Sequence, residues 1–418
     1  MKVEKLILKN FRGIDEMELD FDPKVNVIFG ANGAGKSTIL DALAIMLSWA
    51  ANRIKYSTAS GKPILEQDIK NGKSFSSLEI ITDFASWRIV KNRKGYGTPG
   101  GKSDFGKLKV FVETIHKRLE QNLNNAINLP LFLYYPINRA VVDIPLRIRK
   151  KHSFDIFSAY DEALDGGASF RTFFEWYREK EDLENEMRLS DPNGIATTFD
   201  FHLQVVRSAW ESFLPEFKNF RVRRNPLRLE VEKNGEKVSV NQLSDGEKIL
   251  VAVVGDMARR LAIANPGLQN PLECNAIVLI DEIDLHLHPE WQRMVIEKFP
   301  EVFPNCQFIV TTHSPHVLTH TTVERLIKLT QNEMKIDWER PVESYGKNTD
   351  RVLEDLMGLE TTRPDRVTEE LSTIYTLINN NKLNDAMEKI GQLKQSIGDD
   401  PDLLKAEVLI KRKEIIGK

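Results

Sequence analysis

The sequence predicts an α/β protein in which short buried strands and helices are followed by a helical insertion, further strands and a helical C-terminal tail. Three observations support this prediction: short apolar strands, a glycine-rich turn between a strand and a helix, and a charged, aromatic segment of helical character. The 418 residues are 41% hydrophobic and 28% charged, which is typical of a folded protein with a large core. This composition excludes a disordered chain, a collagen-like fibre and a disulfide-stabilised mini-protein.

Charge and cysteine content indicate the compartment and the general class of partner. The 58 basic and 61 acidic residues give a net charge of −3, which predicts no strong overall attraction to nucleic acid or anionic membranes. The two cysteines, Cys274 and Cys306, adjoin apolar stretches, which favours small core residues over a disulfide. No apolar run approaches the roughly 20 residues of a membrane-spanning helix, and residues 1–9 show no secretory signal. We therefore expect a cytoplasmic protein.

The order of elements along the chain follows from apolar periodicity and from turn residues. Short apolar segments predict strands or sheet at 5–9, 25–29, 77–90, 129–135, 276–280 and 307–310. A helix is predicted from Thr38, and the polar segments 51–76 and 91–106 are predicted to be loops. Residues 220–240 are predicted to form a hairpin with an Asn-Gly turn. The chain from 367 onwards is predicted to be helical, and Asp400 and Pro401 mark the start of its last helix.

A glycine-rich motif follows one predicted strand and opens a helix. It fits the pattern G-x-x-x-x-G-K-[ST] and, with the next residue, comprises Gly30, Ala31, Asn32, Gly33, Ala34, Gly35, Lys36, Ser37 and Thr38. Glycines let successive backbone N–H groups face a phosphate, and the helix N-terminus adds partial positive charge. Lys36 is predicted to contact the β- and γ-phosphates of a nucleotide, and the Ser37 hydroxyl to hold Mg²⁺. The alternative is a glycine-rich turn without a ligand.

Two further predicted strands end in chemically active residues. An apolar strand ends at Asp281 and Glu282, and adjacent acids suit such a position when a cation or a reacting water compensates for them. Asp281 is predicted to contact Mg²⁺, and Glu282 to orient and deprotonate the attacking water. His313 ends the next strand and is predicted to contact the γ-phosphate or that water. The alternative is a pair of solvated acids and a structural histidine.

A second small-residue turn precedes the predicted helix 249–262. Ser244 and Gly246 lie in the segment Leu-Ser-Asp-Gly-Glu, which can present N–H groups and a hydroxyl to an anion. A single chain does not need a second phosphate-binding turn, so this one suggests a partner chain whose nucleotide it closes. The other interpretation is a helix cap, with Ser244 as N-cap and Glu247 completing a capping box. The two interpretations are compatible.

These motifs together resemble the ABC-type ATPase heads of the RecF, SMC and OLD superfamily. Residues 8–13 resemble the opening strand and turn of that group, and residues 284–289 resemble its D-loop. The resemblance implies an α/β fold of the ABC-type P-loop ATPase head, with a mixed β-sheet lobe and a helical lobe, and it implies ATP and Mg²⁺ as cofactors. It also implies a head-to-tail dimer in which ATP lies between Lys36 of one chain and Ser244 of the other. By the same resemblance, Gly246 and Asp284 join the nucleotide-binding set.

The spacing of the motifs and the middle of the chain resemble one narrower branch of this superfamily. The distance from Lys36 to Ser244 is longer than in transporter subunits and far too short for the coiled coils of SMC proteins. Residues 134–139, 173–186 and 398–403 resemble PtuA-type ATPases of Septu anti-phage systems and ATPases encoded beside some retrons. That branch implies a defence ATPase whose nucleotide state gates a separate, PtuB-like HNH nuclease. We recognise no nuclease motif in the sequence itself.

The resemblance also suggests a division of the chain into four parts. These are an N-terminal ATPase lobe with the glycine-rich motif, a helical insertion, a C-terminal ATPase lobe, and a helical tail that could contact a partner: 1–144, 145–215, 216–365 and 366–418. The C-terminal helices are an expected docking surface, or they cover one face of the head.

The residues leave several alternatives open. One is a RecF-like DNA repair ATPase that clamps DNA by itself, a second is a nucleotide sensor with negligible turnover, and a third is a transporter subunit. The basic runs 147–151 and 221–224 are candidate DNA contacts, or they pair with acidic residues of the insertion. Asn138 or Arg139 could sense the γ-phosphate, although the family has glutamine there. His286 and His288 are a weak candidate metal pair, since no further ligand set accompanies them.

Overall fold

A largely parallel sheet carries the predicted motifs. The computed structural model describes residues 1–121, 128–137, 155–166, 170–190, 199–332 and 335–416. In spatial order, the strands of this sheet are β13 (Lys335–Glu339), β12 (Leu326–Asn332), β3 (Val25–Gly30), β11 (Cys306–Thr311), β10 (Ala276–Ile280) and β6 (Leu131–Tyr135). Neighbouring strands are parallel from β12 to β6, and β13 pairs antiparallel with β12. Because β3, β11, β10 and β6 run in one direction, their carboxyl ends lie at one edge.

Helices cover the sheet and bury its central strands. Helix α1 (Lys36–Lys55) packs against β3, β6, β10 and β11, and helix α5 (Asp245–Ala264) packs against β6. All five residues of β10 are buried, as its uninterrupted apolar sequence predicts for a parallel strand covered on both faces. Cys274 and Cys306 are buried free thiols, and burial raises the pKa of each to about 12.

Two antiparallel sheets accompany the central one. The first has the order β2 (Ile14–Asp20), β1 (Val3–Phe11), β4 (Phe75–Thr82) and β5 (Ser86–Asn92). The second has the order β7 (Phe217–Arg224), β8 (Leu227–Lys233) and β9 (Glu236–Ser239). Asn234 and Gly235 join β8 to β9 with φ angles of 52° and 86°, so the predicted Asn-Gly hairpin is present, with β7 as a third strand.

The remaining helices lie between and after these strands. They are α2 (Gly106–Gln121), α3 (Phe170–Ser190), α4 (Phe201–Phe213), α6 (Pro289–Val302), α7 (Pro315–Thr319), α8 (Thr349–Arg351), α9 (Asp365–Asn379), α10 (Leu383–Ile397) and α11 (Pro401–Ile416). Single helical turns occur at Glu66–Asp68, Ile156–Tyr160, Val240–Gln242, Pro271–Glu273, Val323–Arg325 and Val352–Leu356. Within the described part of the chain, every helix is too short or too polar to span a lipid bilayer.

Aromatic side chains of the predicted insertion pack against α5. Phe173 and Trp176 of α3 and Trp210 of α4 are fully buried, and the Trp210 Nε1 donates a hydrogen bond to the Val251 carbonyl at 2.9 Å. A Cβ at Gly255 would lie 2.8 Å from Cζ2 of Trp210, so the absence of a side chain lets α4 approach α5 closely. Burying each large aromatic side chain contributes roughly 1.5–3 kcal/mol, which makes this layer a major part of the core.

Two predicted boundaries differ from the structure. The segment 51–76, predicted to be a loop, begins with the last turn of α1, because Ala51 and Ile54 are buried against the core and extend the helix. The helical insertion predicted at 145–215 contains two separate helices among its described residues, α3 and α4. Asp200 caps the second by accepting a hydrogen bond from the Leu203 amide.

The C-terminal part forms a second compact unit, Asn348–Lys418, after a first unit, Met1–Lys347. In the second unit α9, α10 and α11 pack around a shared apolar core: Leu371, Ile374, Ile378, Ala386, Ile390, Leu393, Leu403, Ala406 and Ile410. Asp400 accepts a hydrogen bond from the Asp402 amide at 2.9 Å and forms two hydrogen bonds with the Arg363 guanidinium. The finer division into four parts stays a prediction.

Truncating the centre of the C-terminal core tests this packing. Ile374 is fully buried, so Ile374→Ala should destabilise the unit by about 2–5 kcal/mol through lost burial and a residual cavity. Hydrogen–deuterium exchange of the α9–α11 amides should accelerate accordingly. Val408 on α11 is 64% exposed, so Val408→Ala should leave exchange unchanged. Equal exchange rates in the two variants would contradict this core.

Candidate functional site

The glycine-rich motif lies between β3 and α1, as predicted. Gly33 and Gly35 have φ angles of 82° and 95°, a region that glycine adopts without strain. Gly30 has a φ of 149°, and a Cβ there would lie 2.4 Å from the Leu329 carbonyl oxygen of β12. Side chains are therefore excluded from Gly30 by the neighbouring strand as well as by backbone conformation.

Lys36 lies at the start of α1 with its ammonium group turned back over the motif. Its Nζ donates hydrogen bonds to the carbonyls of Gly30 and Ala31, each at 3.0 Å. Ala34 is buried, while Ala31, Asn32, Gly33 and Ser37 are exposed and Gly35 and Thr38 are half-buried. The motif thus presents backbone and hydroxyl groups to solvent around one buried lysine. This is an arrangement that suits an anionic ligand.

The electrostatic surroundings of Lys36 connect the motif with the predicted acids. Burial lowers the pKa of Lys36, and the carboxylates of Glu282, Asp281 and Asp284 act in the opposite direction. These three acids therefore lie close enough to the lysine to interact with its charge. The structure thus brings together side chains that are far apart in the sequence.

Asp281 and Glu282 follow β10 and are linked to the end of β11. The Thr311 hydroxyl donates to Oδ1 of Asp281 and accepts a hydrogen bond from the Glu282 amide at 2.7 Å. Asp281 is buried and Glu282 is half-buried. Glu282 has a φ of 47°, an uncommon conformation for a residue with a side chain and one that turns the chain sharply after the strand.

Asp284 and His313 lie next to each other. Oδ1 of Asp284 accepts hydrogen bonds from the Thr312 hydroxyl at 2.6 Å and from the His313 amide at 3.3 Å. The Thr312 amide in turn donates to the Ile28 carbonyl of β3 at 3.1 Å. The end of β11 is thereby attached to the strand that leads into the glycine-rich motif and to the loop after β10.

An ion-pair network beside the motif was missed by the sequence analysis. The Arg12 guanidinium contacts Asp41 of α1 at 2.6 Å and Asp68 at 2.9 Å. Burial acts to lower the pKa of Arg12, but hydrogen bonds to the two carboxylates outweigh it and raise that pKa. Arg12 lies in the turn after β1, with a φ of 49°. The sequence indicates that turn, but it does not show which acids Arg12 contacts.

The second turn, with Ser244 and Gly246, caps helix α5. The Ser244 hydroxyl accepts a hydrogen bond from the Glu247 amide at 3.4 Å, and the Glu247 carboxylate accepts one from the Ser244 amide at 2.8 Å. The predicted capping box is therefore present. Ser244 and Asp245 are exposed, whereas Gly246 is buried, so only part of this turn faces solvent.

Gly246 brings this turn into contact with the loop after β10. A Cβ at Gly246 would lie 2.5 Å from the His286 carbonyl oxygen, and the Leu287 backbone is also close. The same loop is held from its other side, because the Gln292 side chain donates to the Leu287 carbonyl at 2.9 Å and accepts from the Ser314 hydroxyl at 2.6 Å. The turn and the D-loop-like segment are therefore packed together within one chain.

The remaining candidates are the possible γ-phosphate sensors, the first basic run and the histidine pair after β10. Asn138, Arg139 and the basic run 147–151 lie outside the described residues. Among the described residues, no group of three or more potential metal-ligating side chains is found, and His288 serves as the N-cap of α6.

The basic run 221–224 is partly neutralised by acidic side chains. Arg224 pairs with Glu181 and Asp182 of α3, and Arg223 pairs with Glu230 of β8 at 2.9 Å. The ion pairs of Arg224 agree with the alternative prediction, in which the basic run pairs with acidic residues of the insertion. DNA binding by this chain stays a prediction.

Fold and motifs together define an ABC-type ATPase of the RecF, SMC and OLD group. Residues 25–319 match the family model described as "AAA domain, putative AbiEii toxin, Type IV TA system", which is more than half of the chain. The chain belongs to this family.

Full-length relatives agree with this assignment. The "Retron Ec83 probable ATPase" of Escherichia coli is 32% identical, over 97% of this chain and 85% of the relative. The "Retron Vc95 probable ATPase" of Vibrio cholerae serotype O1 biovar El Tor is 31% identical, over 84% of this chain and 78% of the relative. The "Septu protein PtuA" of Bacillus thuringiensis is 22% identical, over 86% and 85% respectively. The chain is thus similar to retron ATPases and to the Septu protein PtuA along most of its length.

Adding one methyl group at position 246 tests the contact between the turn and the loop. Gly246→Ala should lower the free energy of unfolding by about 1–3 kcal/mol, because the His286 backbone must move to accept the Cβ. Urea denaturation of the full chain measures this change. Gly391 on α10 has no atom within 4 Å of the corresponding Cβ position, so Gly391→Ala should stabilise its helix by up to about 1 kcal/mol. An unchanged midpoint for Gly246→Ala would contradict the close packing.

Proposed function

We propose that this ATPase binds ATP with Mg²⁺ at the edge where β3, β10 and β11 end. In this proposal residues 30–38 surround the phosphates, Lys36 neutralises the β- and γ-phosphates, and Ser37 and Asp281 hold Mg²⁺. The observation that carries the proposal is that β3, which leads to Lys36, and β10, which leads to the three acids, end at one edge of the sheet. There the carboxylates of Glu282, Asp281 and Asp284 act to raise the pKa of Lys36. Bound phosphate oxygens would replace the two carbonyls that Lys36 now contacts.

Hydrolysis in this proposal uses Glu282 and His313. Glu282 accepts a proton from the attacking water, and His313 contacts the γ-phosphate or that water. Support comes from the hydrogen bonds that hold both residues in place, through Thr311 for Glu282 and through Asp284 for His313. Both residues are half-buried, so each remains partly accessible.

We further propose that a second copy of the chain completes the site. Ser244 and Gly246 of that copy would contact the nucleotide, giving a head-to-tail dimer with ATP between the two chains. Ser244 is exposed at the N-terminus of a 20-residue helix, where the helix dipole favours an anion. Within its own chain the Ser244 hydroxyl accepts a hydrogen bond from the Glu247 amide and also interacts with the Glu247 carboxylate. In the proposed dimer its O–H would turn to donate to a phosphate oxygen of the second chain's nucleotide.

The biological role we propose is anti-phage defence with a separate nuclease. The similarity to retron and Septu proteins supports a defence role for this ATPase. The partner would be an HNH nuclease of the PtuB type, and the nucleotide state of the dimer would gate its activity. The C-terminal helices α9–α11 are the proposed docking surface within a chain organised as two ATPase lobes, an insertion and a tail.

Blocking hydrolysis should trap the proposed dimer. Glu282→Gln removes the proton acceptor but keeps the size of the side chain, so ATP should bind and persist. With ATP and Mg²⁺ we expect light scattering to show a larger assembly than for the wild type, and phosphate release to fall by about 100-fold or more.

Two matched variants distinguish binding from hydrolysis. Lys36→Ala should prevent any increase in mass, because the γ-phosphate loses its counter-charge. Ser244→Ala should weaken assembly while each chain still binds nucleotide. If the measured mass does not change with ATP in either the wild type or Glu282→Gln, the proposed head-to-tail dimer is excluded.

Nuclease gating is tested with the product of any neighbouring gene that encodes an HNH protein. After co-expression we expect the two proteins to elute together in size-exclusion chromatography. Their nuclease rate on plasmid DNA or cellular RNA should differ by about 5- to 150-fold between ATP-loaded and ATP-depleted complexes, the usual range of coupling between two sites. Equal rates in the two states would show that nucleotide does not gate the nuclease.

A further inference from the structure

Two consecutive tyrosines end strand β6, beside the strand that carries the catalytic acids. Tyr134 pairs in register with Leu279 and Tyr135 with Ile280, the last residues of β10. Successive side chains of a strand point to opposite faces of the sheet, so the two rings extend toward different layers of helices. Both tyrosines are buried.

Tyr134 reaches the helix that follows the glycine-rich motif. Its hydroxyl donates a hydrogen bond to Oδ1 of Asp41 at 3.1 Å, and Oδ2 of the same carboxylate contacts Arg12. Asp41 lies in α1, little more than one helical turn after Lys36. Tyr134 thus joins the end of β6 to the nucleotide-binding end of α1.

Tyr135 reaches α5 on the other face. Its hydroxyl donates to Oδ2 of Asp256 at 3.0 Å, and the same carboxylate accepts hydrogen bonds from Arg259 at 2.7 Å and Arg260 at 2.8 Å. The Arg260 guanidinium also donates to the Ala159 carbonyl at 2.8 Å. This cluster is fully buried, and its polar groups fix α5 against β6.

The Asp256 carboxylate is the acceptor at the centre of this cluster. Burial acts to raise the pKa of Asp256, but Arg260 and Arg259 outweigh it and keep that pKa below its usual value. Burial raises the pKa of the Tyr135 hydroxyl, so the phenol remains protonated and is the donor. A buried carboxylate that loses one of its donors is left incompletely satisfied, which makes the tyrosine contact directional and costly to break.

The backbone completes the connection to the catalytic edge. The Tyr135 carbonyl accepts a hydrogen bond from the Asp281 amide at 2.9 Å. One residue therefore contacts both the backbone of the proposed Mg²⁺ ligand and the helix that has Ser244 as its N-cap. A shift of α5 relative to β6 would strain the Tyr135–Asp256 bond, and a shift of β6 relative to the residue after β10 would strain the Tyr135–Asp281 bond.

We propose that Tyr134 and Tyr135 are positioning residues for ATP hydrolysis. Tyr134 sets the position of α1 and hence of the nucleotide-binding motif. Tyr135 sets the position of α5, and hence of Ser244 and Gly246, relative to the strand end that carries Asp281. The second role rests on the proposed function, in which Ser244 and Gly246 act on the nucleotide of a second chain.

The test removes single hydroxyl groups and compares kcat with KM. Tyr135→Phe should lower kcat about fivefold to tenfold with KM nearly unchanged, the effect of one ordinary hydrogen bond on a step after ATP binding. Tyr134→Phe should instead raise the KM for ATP by a similar factor with kcat nearly unchanged. Tyr160→Phe is the matched control, because Tyr160 is also buried and donates one hydrogen bond, to the Pro130 carbonyl at 2.8 Å. It should leave both constants unchanged.

A second measurement keeps the proposal testable if turnover is too low to measure. Hydrogen–deuterium exchange should accelerate in the first turn of α5 for Tyr135→Phe and in the first turns of α1 for Tyr134→Phe. A merely structural role would lower kcat equally in all three variants. It would also accelerate exchange in α1 and α5 alike, whichever tyrosine is changed. Either pattern, or wild-type kinetics in both Tyr134→Phe and Tyr135→Phe, would overturn the proposal.

Ser244→Ala in the same assay separates this inference from the proposed function. If Ser244→Ala lowers kcat while Tyr135→Phe does not, the head-to-tail dimer stands and the positioning role of Tyr135 is wrong. If Tyr135→Phe lowers kcat while Ser244→Ala has no effect, the tyrosine positions Asp281, and the proposed role of the second chain is wrong.

Discussion

The candidate site depends on the hydroxyl groups at the end of β11. Thr311 joins Asp281 and Glu282 to this strand, and Thr312 joins it to Asp284, so the loop after β10 has a defined path. Because β11 lies between β3 and β10, these bonds also set the distance from the acids to the glycine-rich motif. Hydrogen bonds to ionised partners are about twice as strong as those between neutral groups, which suits this role. Without these hydrogen bonds, Lys36 and the acids would still lie at the same edge of the sheet, but their relative positions would not be fixed.

Local sequence patterns were sufficient for the elements whose chemistry is local. The glycine-rich motif, the apolar strand β10 and the capping box at Ser244 each occupy a few consecutive residues, and each lies where its pattern predicts. Strands β12 and β13 were not predicted. Each is a short segment, and the order comes from the pairing of β12 with β3 and with β13. The partners of Arg12 were equally inaccessible, since Asp41 and Asp68 are distant in sequence and meet it only in the folded chain.

Charged residues illustrate the same limit. In the sequence, residues 221–224 form a basic run. In the structure, acidic side chains form ion pairs with two of its arginines: Glu230, Glu181 and Asp182. Glu181 is buried, and its carboxylate also accepts hydrogen bonds from the Val222 amide. The sequence shows the number of charges but not which of them meet in the folded chain. It therefore could not distinguish a solvated basic surface from an ion-pair network that joins α3 to β7. The aromatic residues beside these acids form a core layer on α5.

The contact at Gly246 separates positions that must keep their identity from positions that are free to change. The closest atom it meets is a backbone oxygen, and every amino acid has one, so the side chain at His286 does not enter the contact. Substitutions in that loop can accumulate without disturbing it, provided that the path of the main chain is kept. Position 246, by contrast, admits no side chain. When divergent members of such a family are aligned, a single glycine can therefore be a more reliable marker of this junction than the histidine-rich loop that it contacts.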